Sequence, residues 1–217
     1  MSTISDVFER LRPKSHWTPR YIFERTNVSL WQRLHPEAPW LVSEAVSFLD
    51  EWLDRNDLLV EFGSGRSTLW FGERVGEVIS LETNPEWHGI VVERARERRL
   101  DNVRVLLETS SDPTTFLHRA EEALDGRTPT AIVVDGGFRA ESCRWGLGRL
   151  ASHGILVLDN AERYVPSPSR APSALPPDAP PEGDDWRHVI DEIDRRRSVR
   201  MCNGVWDTLL VFGAKRA

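Results

Sequence analysis

Leu58-Leu59-Val60-Glu61-Phe62-Gly63-Ser64-Gly65-Arg66-Ser67 joins an apolar run to an acid and then to a glycine-spaced loop. Leu58, Leu59, Val60 and Phe62 suit a strand buried on both faces, and Gly63 and Gly65 let the backbone turn tightly and approach a bound molecule. About 20 residues on, Val78-Ile79-Ser80-Leu81 ends in Glu82, the separation at which nucleotide-binding folds place a carboxylate on ribose hydroxyls. Together the two motifs predict a nucleoside-containing cofactor.

Outward from this stretch, strand-like and helix-like patterns alternate from residue 43 onward, which predicts a parallel sheet with crossover helices. Val42, Ala45, Val46, Leu49, Trp52 and Leu53 recur at helical spacing ahead of the first strand. Asn84-Pro85 and Asp112-Pro113 read as helix caps with proline in the first turn. Strands are expected over 102–107, 130–134 and 155–158, with a helix through Cys143, Leu147 and Leu150 in which Gly146 and Gly148 allow close approach to the sheet. Glu61, Glu82, Asp135 and Asp159 close four of the five strands, at the edge where open α/β sheets bind ligands. Residues 164–185 hold seven prolines and predict a long loop beside the site, either a lid or a bystander. Residues 186–196 resume a helix, and two strands, 198–202 and 205–212, are expected to join through a tight Asn203-Gly204 hairpin.

The chain has 217 residues, a formal net charge of -6 and 29% charged residues, which describes an ordinary soluble domain. The organisation expected is an amino-terminal helical cap over 1–42 and a cofactor-binding domain over 43–217. The acidic balance argues against nucleic acid as a partner, since phosphate binding needs a basic face. Cys143 and Cys202 lie far apart without metal-ligand spacing, so neither a disulfide framework nor a zinc site is expected. Met1 to Asp6 lacks a leader pattern and no run is long enough to span a bilayer, so the expected location is the cytoplasm, with no membrane partner. The expected partner is a small-molecule substrate, and a homodimer is compatible with the composition.

A nicotinamide cofactor fits the glycine loop only in part. The third glycine of the dinucleotide fingerprint falls on Thr68, and Glu61 stands where a pyrophosphate is repelled. A cationic cofactor reverses the sign of that argument. Glu61-Phe62-Gly63-Ser64-Gly65-Arg66-Ser67, Leu81-Glu82-Thr83-Asn84, Val133-Val134-Asp135-Gly136 and Gly154-Ile155-Leu156-Val157-Leu158-Asp159-Asn160, taken in this order, resemble the class I S-adenosylmethionine-dependent methyltransferases. The resemblance spans about residues 43 to 213 and implies a Rossmann-like doubly wound α/β sheet, mostly parallel with an antiparallel last strand.

It further implies that the Gly63-Ser64-Gly65 backbone, with Ser67, passes under the methionine part of S-adenosylmethionine and that Glu61 helps hold its amino group, directly or through water. Glu82 would bind the ribose hydroxyls with Thr83 and Asn84 beside the adenosine, and Glu108-Thr109-Ser110 would face the adenine. Asp135 and Asp159 are the candidate catalytic groups near the transferred methyl. In some O-methyltransferases of the class an acid and an Asp-Asn pair hold a divalent metal. Asp135, Asp159 and Asn160 resemble that trio and would suit magnesium, while the alternatives are that Asp159 is the base itself or bonds the turn after its strand. The implied activity is methyl transfer to a small molecule, at oxygen or, as a variant, at nitrogen of an amine or peptide. A nicotinamide-dependent oxidoreductase and a non-catalytic cofactor-binding protein are the competing classes. Trp17, Tyr21, Phe23, Trp31 and Trp40 share the cap, read singly as core and together as an aromatic wall over a flat substrate, and His16 and His35 are the histidines that lie there.

Overall fold

The computed structural model describes residues 17–215 and contains a seven-stranded sheet in the order β3-β2-β1-β4-β5-β7-β6. Five strands run parallel: β1 (Leu58–Phe62), β2 (Glu77–Glu82), β3 (Val103–Leu107), β4 (Ala131–Val134) and β5 (Ile155–Asp159). β7 (Asp207–Lys215) is antiparallel to both β5 and β6 (Arg196–Cys202). The expected doubly wound sheet is therefore present, with its antiparallel last strand inserted between β5 and β6.

Side-chain alternation along the central strands divides the core into two layers. Val60, Phe62, Ile132 and Leu156 pack with Phe116 of α5 (Pro113–Leu124), Leu147 of α6 (Arg139–Arg149) and Trp186 of α7 (Gly183–Asp194). Leu59, Val78, Val133 and Val157 pack with Leu49 of α2 (Ser43–Trp52) and Phe71 of α3 (Arg66–Gly72). Glu61 and Asp159 share the parity of this second layer, so both acids point to the side that α2 and α3 cover. Gly146 lies tight on the sheet, where a Cβ would come within 2.9 Å of Leu156, whereas Gly148 has open space, contrary to the sequence expectation.

The caps form as expected. The side chain of Asn84 accepts from the Trp87 N–H at 3.0 Å at the start of α4 (Pro85–Glu97), and that of Asp112 accepts from the Thr115 N–H at 2.9 Å. The link between β6 and β7 is longer than a two-residue hairpin. The Asn203 side chain accepts from the N–H groups of Val205 and Trp206, and this local bonding, available to an asparagine, spreads the turn over four residues.

α1 (Pro19–Leu34) lies before this alternation, and Val28 is its one buried residue. Its position is set by Glu24, which pairs with Arg170 and sits so close to Gly204 that any Cβ there would strike it. Because so narrow a face is covered, Trp17 and Phe23 are exposed, and so is Trp40 beyond the helix, which corrects the reading of these aromatics as core. His35 stacks on Trp31 and hydrogen-bonds its carbonyl, while His16 and Met1 to Asp6 lie outside the described residues.

The proline-rich segment is irregular but held. Glu162, wholly buried, accepts from Ser173 Oγ at 2.8 Å and from the Asp207 N–H at 2.9 Å, and Ser169 donates to Asp207. The following helix starts at Gly183, earlier than the apolar pattern indicated.

Candidate functional site

Register brings the first site together. Glu61 pairs with Ser80 across β1 and β2, and the first turn of α3 returns over the same face. Glu61 consequently accepts three hydroxyl hydrogen bonds, from Ser67 at 2.6 Å, Thr68 at 2.5 Å and Ser80 at 2.6 Å. Thr68 Oγ1 also accepts from the Gly65 N–H at 2.8 Å, which ties the loop to the buried acid. Burial pushes the Glu61 carboxyl up to about 7, against the opposing pull of its hydroxyl donors. Its side chain has no exposed surface, so it meets no bound molecule directly and holds the loop from beneath. The expectation allowed a contact made directly or through water, and with the carboxylate buried Ser67 is its route to the cavity.

Glu82 is the hub of the second strand end. One oxygen accepts from the N–H and hydroxyl of Ser64, at 3.1 and 2.7 Å, and the other from the N–H groups of Thr83 and Asn84, at 2.8 and 2.9 Å. Trp87 closes the ring by donating its indole N–H to the Ser64 carbonyl at 2.7 Å. Ser64, Gly65, Ser67, Trp87 and Asp135 line a cavity of about 240 Å³ bounded on its far side by Trp40. Thr83 and Asn84 act here through their backbone, and Glu108 accepts from the Ser110 N–H in the next loop.

A second cavity, of about 310 Å³, is lined by Asp135, Asp159 and Asn160 at the strand ends and by Arg25 and Gln32 of α1, with Trp40 again in its wall. Asp159 is almost wholly buried beside its register partner Thr208. Desolvation, reinforced by the nearby Asp135 charge, raises its carboxyl well above the usual range. Asp135 is raised less, since Arg139 opposes its desolvation and a hydrogen bond from Asp159 favours its charged form. The two carboxyls thus hold a proton to higher pH than either would alone.

Asp135, Asp159 and Asn160 do meet in one cavity, as the resemblance implied. Arg139, however, bonds Asp135 Oδ1 at 2.7 Å, and its guanidinium reaches the Tyr164 hydroxyl at 3.1 Å. No group of three or more His, Cys, Asp or Glu able to hold a metal occurs among the described residues. With one carboxylate committed to a guanidinium, the set does not fit magnesium as arranged.

Several residues escaped the sequence reading: Arg25, Gln32, Arg66, Trp87, Arg139 and Trp206. Two carried a usable signal, because Trp87 stands three residues after the Asn84 cap and Arg139 four after Asp135, distances at which helical neighbours meet. The proline-rich segment lines neither of these cavities. Through Arg170 it borders a third, of about 360 Å³, beneath α1.

No protein-family model matches the chain, and no curated protein matches it. Solved structures do. Cofactor-bound Rv0187 from MTB is similar over the whole of both chains, with a TM-score of 0.56 and 15% identity. An rRNA methylase from Streptococcus thermophilus gives 0.53 and 15%, covering 78% of this chain and 93% of its own. Precorrin-6y C5,15-methyltransferase from Geobacter metallireducens GS-15 gives 0.51 and 15%, covering 79% and 91%. At such identities the likeness is one of fold, and this chain has the class I methyltransferase fold. One of these neighbours is described as an rRNA methylase, so the likeness in fold lends no support to the expectation that nucleic acid is not a partner. Among the described residues no helix is long and apolar enough to cross a membrane.

Proposed function

We propose that the chain is an S-adenosylmethionine-dependent methyltransferase acting on a small molecule at oxygen. One observation carries this reading: the cavity at the glycine loop and the cavity at Asp159 share the walls Trp40 and Asp135, so a donor in one faces an acceptor in the other. The cofactor passes a test of fit against the chain's own features. A Cβ at Gly65 would meet nothing nearer than 3.8 Å and would stand in the cavity, so glycine there leaves room for a ligand. Ser64 Oγ, held by Glu82, marks where ribose hydroxyls would bond that carboxylate, and Asp135 and Ser67 would hold the methionine end.

When bound, S-adenosylmethionine supplies an electrophilic methyl on a sulfonium that leaves as a neutral thioether. The chain's task is to align the acceptor and remove its hydroxyl proton. Asp159, a stronger base for its burial once it has lost its own proton, takes that proton, and Asp135 is kept in place by Arg139. Nitrogen of an amine or peptide is the variant acceptor. The described part of the cap expected over 1–42 supplies the acceptor side in this reading, with α1 contributing Arg25 and Gln32. Cys143 and Cys202 are free thiols, which suits a cytoplasmic setting.

Calorimetric titration with S-adenosylmethionine, S-adenosylhomocysteine and NAD tests the class of cofactor. Binding of either sulfur nucleoside with none of NAD is expected, and the reverse would overturn the reading.

A further inference from the structure

The lining of the acceptor cavity carries both signs of charge. Asp135 and Asp159 come from the strand ends and Arg25 from α1, its guanidinium 6.0 Å from the ring centroid of Trp206. Of the other arginines near the site, Arg139 is engaged with Asp135, Arg170 with Glu24 and Arg66 with the face of Trp40, while Arg94 lines the glycine-loop cavity and not this one. The Arg25 guanidinium has no acid partner and no side-chain hydrogen bond among the described residues, and it lies over the Trp206 ring. It shares a helix face with Val28 and Gln32 at i+3 and i+7, and it lines the cavity while itself remaining exposed.

Resting on the methyltransferase reading, we propose that the acceptor is a planar molecule with two unlike ends, a hydroxyl facing Asp159 and a carboxylate held by Arg25. An arginine binds a carboxylate through paired N–H donors, and the walls Trp40 and Trp206 suit a flat ring between the ends. A volume of about 310 Å³ accommodates one aromatic ring with short substituents.

The test uses 4-hydroxybenzoate and 4-hydroxycinnamate, each against its neutral amide, titrated into protein saturated with S-adenosylhomocysteine. The carboxylates should bind at least tenfold more tightly than the amides. Arg25→Gln should abolish that preference and Arg25→Lys retain part of it, with affinity for S-adenosylhomocysteine unchanged in both. Equal binding of acid and amide, binding of neither acid, or a preference that survives in Arg25→Gln overturns the proposal. Failure to bind S-adenosylhomocysteine at the outset would instead overturn the methyltransferase reading.

Discussion

Gly63 and Gly136 meet backbone to backbone. A Cβ on Gly63 would stand 2.6 Å from the Cα of Gly136, and one on Gly136 would stand 2.8 Å from the Cα of Gly63. The loops after β1 and β4 therefore touch, and the Gly136 N–H donates to the Phe62 carbonyl at 2.6 Å. This contact brings Asp135 to the rim of the glycine-loop cavity. Gly63 is also at φ 101°, a conformation that side-chain-bearing residues rarely adopt. Gly63→Ala should cost about 1–3 kcal/mol from overpacking, or roughly 3–10 °C in melting temperature for a chain of this size. Gly65→Ala, which strikes nothing, should melt within about 2 °C of the parent yet bind S-adenosylhomocysteine more weakly. Equal melting temperatures for Gly63→Ala and the parent, measured by calorimetry, would show that the two loops can separate without cost.

The Glu61 carboxyl gives stability a definite pH dependence. Its folded value of about 7 is above the ordinary 4.5, so the native state is favoured by the bound proton. That contribution is complete below about 4.5 and is lost as pH rises through about 7. Thermal melts of Glu61→Gln and the parent should therefore diverge between pH 5 and pH 8, with the glutamine variant gaining relative to the parent. A constant difference across that range would mean that the three hydroxyls keep the acid charged throughout.

Parallel strands ending in acids were readable from the chain because buried central strands leave uninterrupted apolar runs, and β1, β2, β4 and β5 follow the sequence expectation closely. The role of Glu61 was not readable. Its choice as a ligand for a cation rested on a full negative charge, and that charge is set first by burial and then by hydroxyl donors, among them Ser80, 19 residues away, which only strand register brings to the carboxylate. Arg25 and Trp206 were hidden for a related reason. They come from opposite ends of the chain and meet only once α1 is seated against Gly204, a contact without local periodicity.

Glu82 organises four donors, and the proposed ribose site depends on its carrying two acceptor oxygens. Glu82→Gln replaces one of them by an N–H donor that repels the Ser64 or Thr83 side of the network. Hydrogen bonds to a charged group contribute about 1.5–3 kcal/mol each, so affinity for S-adenosylhomocysteine should fall by roughly 10- to 100-fold. Calorimetric titration at fixed salt checks this. An unchanged dissociation constant would remove Glu82 from the ligand-binding set and leave it as a loop anchor.

Asp159 should show the opposition between stability and function expected of a buried base. Its raised carboxyl means that stability is present below the ordinary carboxylate range and is lost as pH rises through the raised value. Asp159→Asn should consequently melt higher than the parent at pH 8, with a smaller gain at pH 5. Transfer of a labelled methyl to 4-hydroxybenzoate should fall by about 10²- to 10⁴-fold, the usual contribution of a general base. Full activity in Asp159→Asn would pass the base role to Asp135 or to solvent.

Glu162 decides whether the proline-rich segment stays down. Its buried carboxylate joins Ser173 of the segment to the Asp207 N–H at the start of β7, and its carbonyl accepts from the Leu175 N–H at 2.8 Å. Glu162→Ala leaves the Asp207 N–H buried and unpartnered, a loss of about 1–3 kcal/mol, while the carbonyl bond remains. If the segment opens as a local unit, that loss appears as a rise of roughly 10- to 100-fold in tryptic cleavage after Arg170, which is exposed at its centre. Glu162→Gln keeps one acceptor for the Asp207 N–H and turns its amide toward a hydroxyl that can accept, so cleavage should be intermediate. Uniform cleavage across the three proteins, followed by mass spectrometry, would show that the segment is held by its prolines and by the Tyr164–Trp186 stack rather than by this acid.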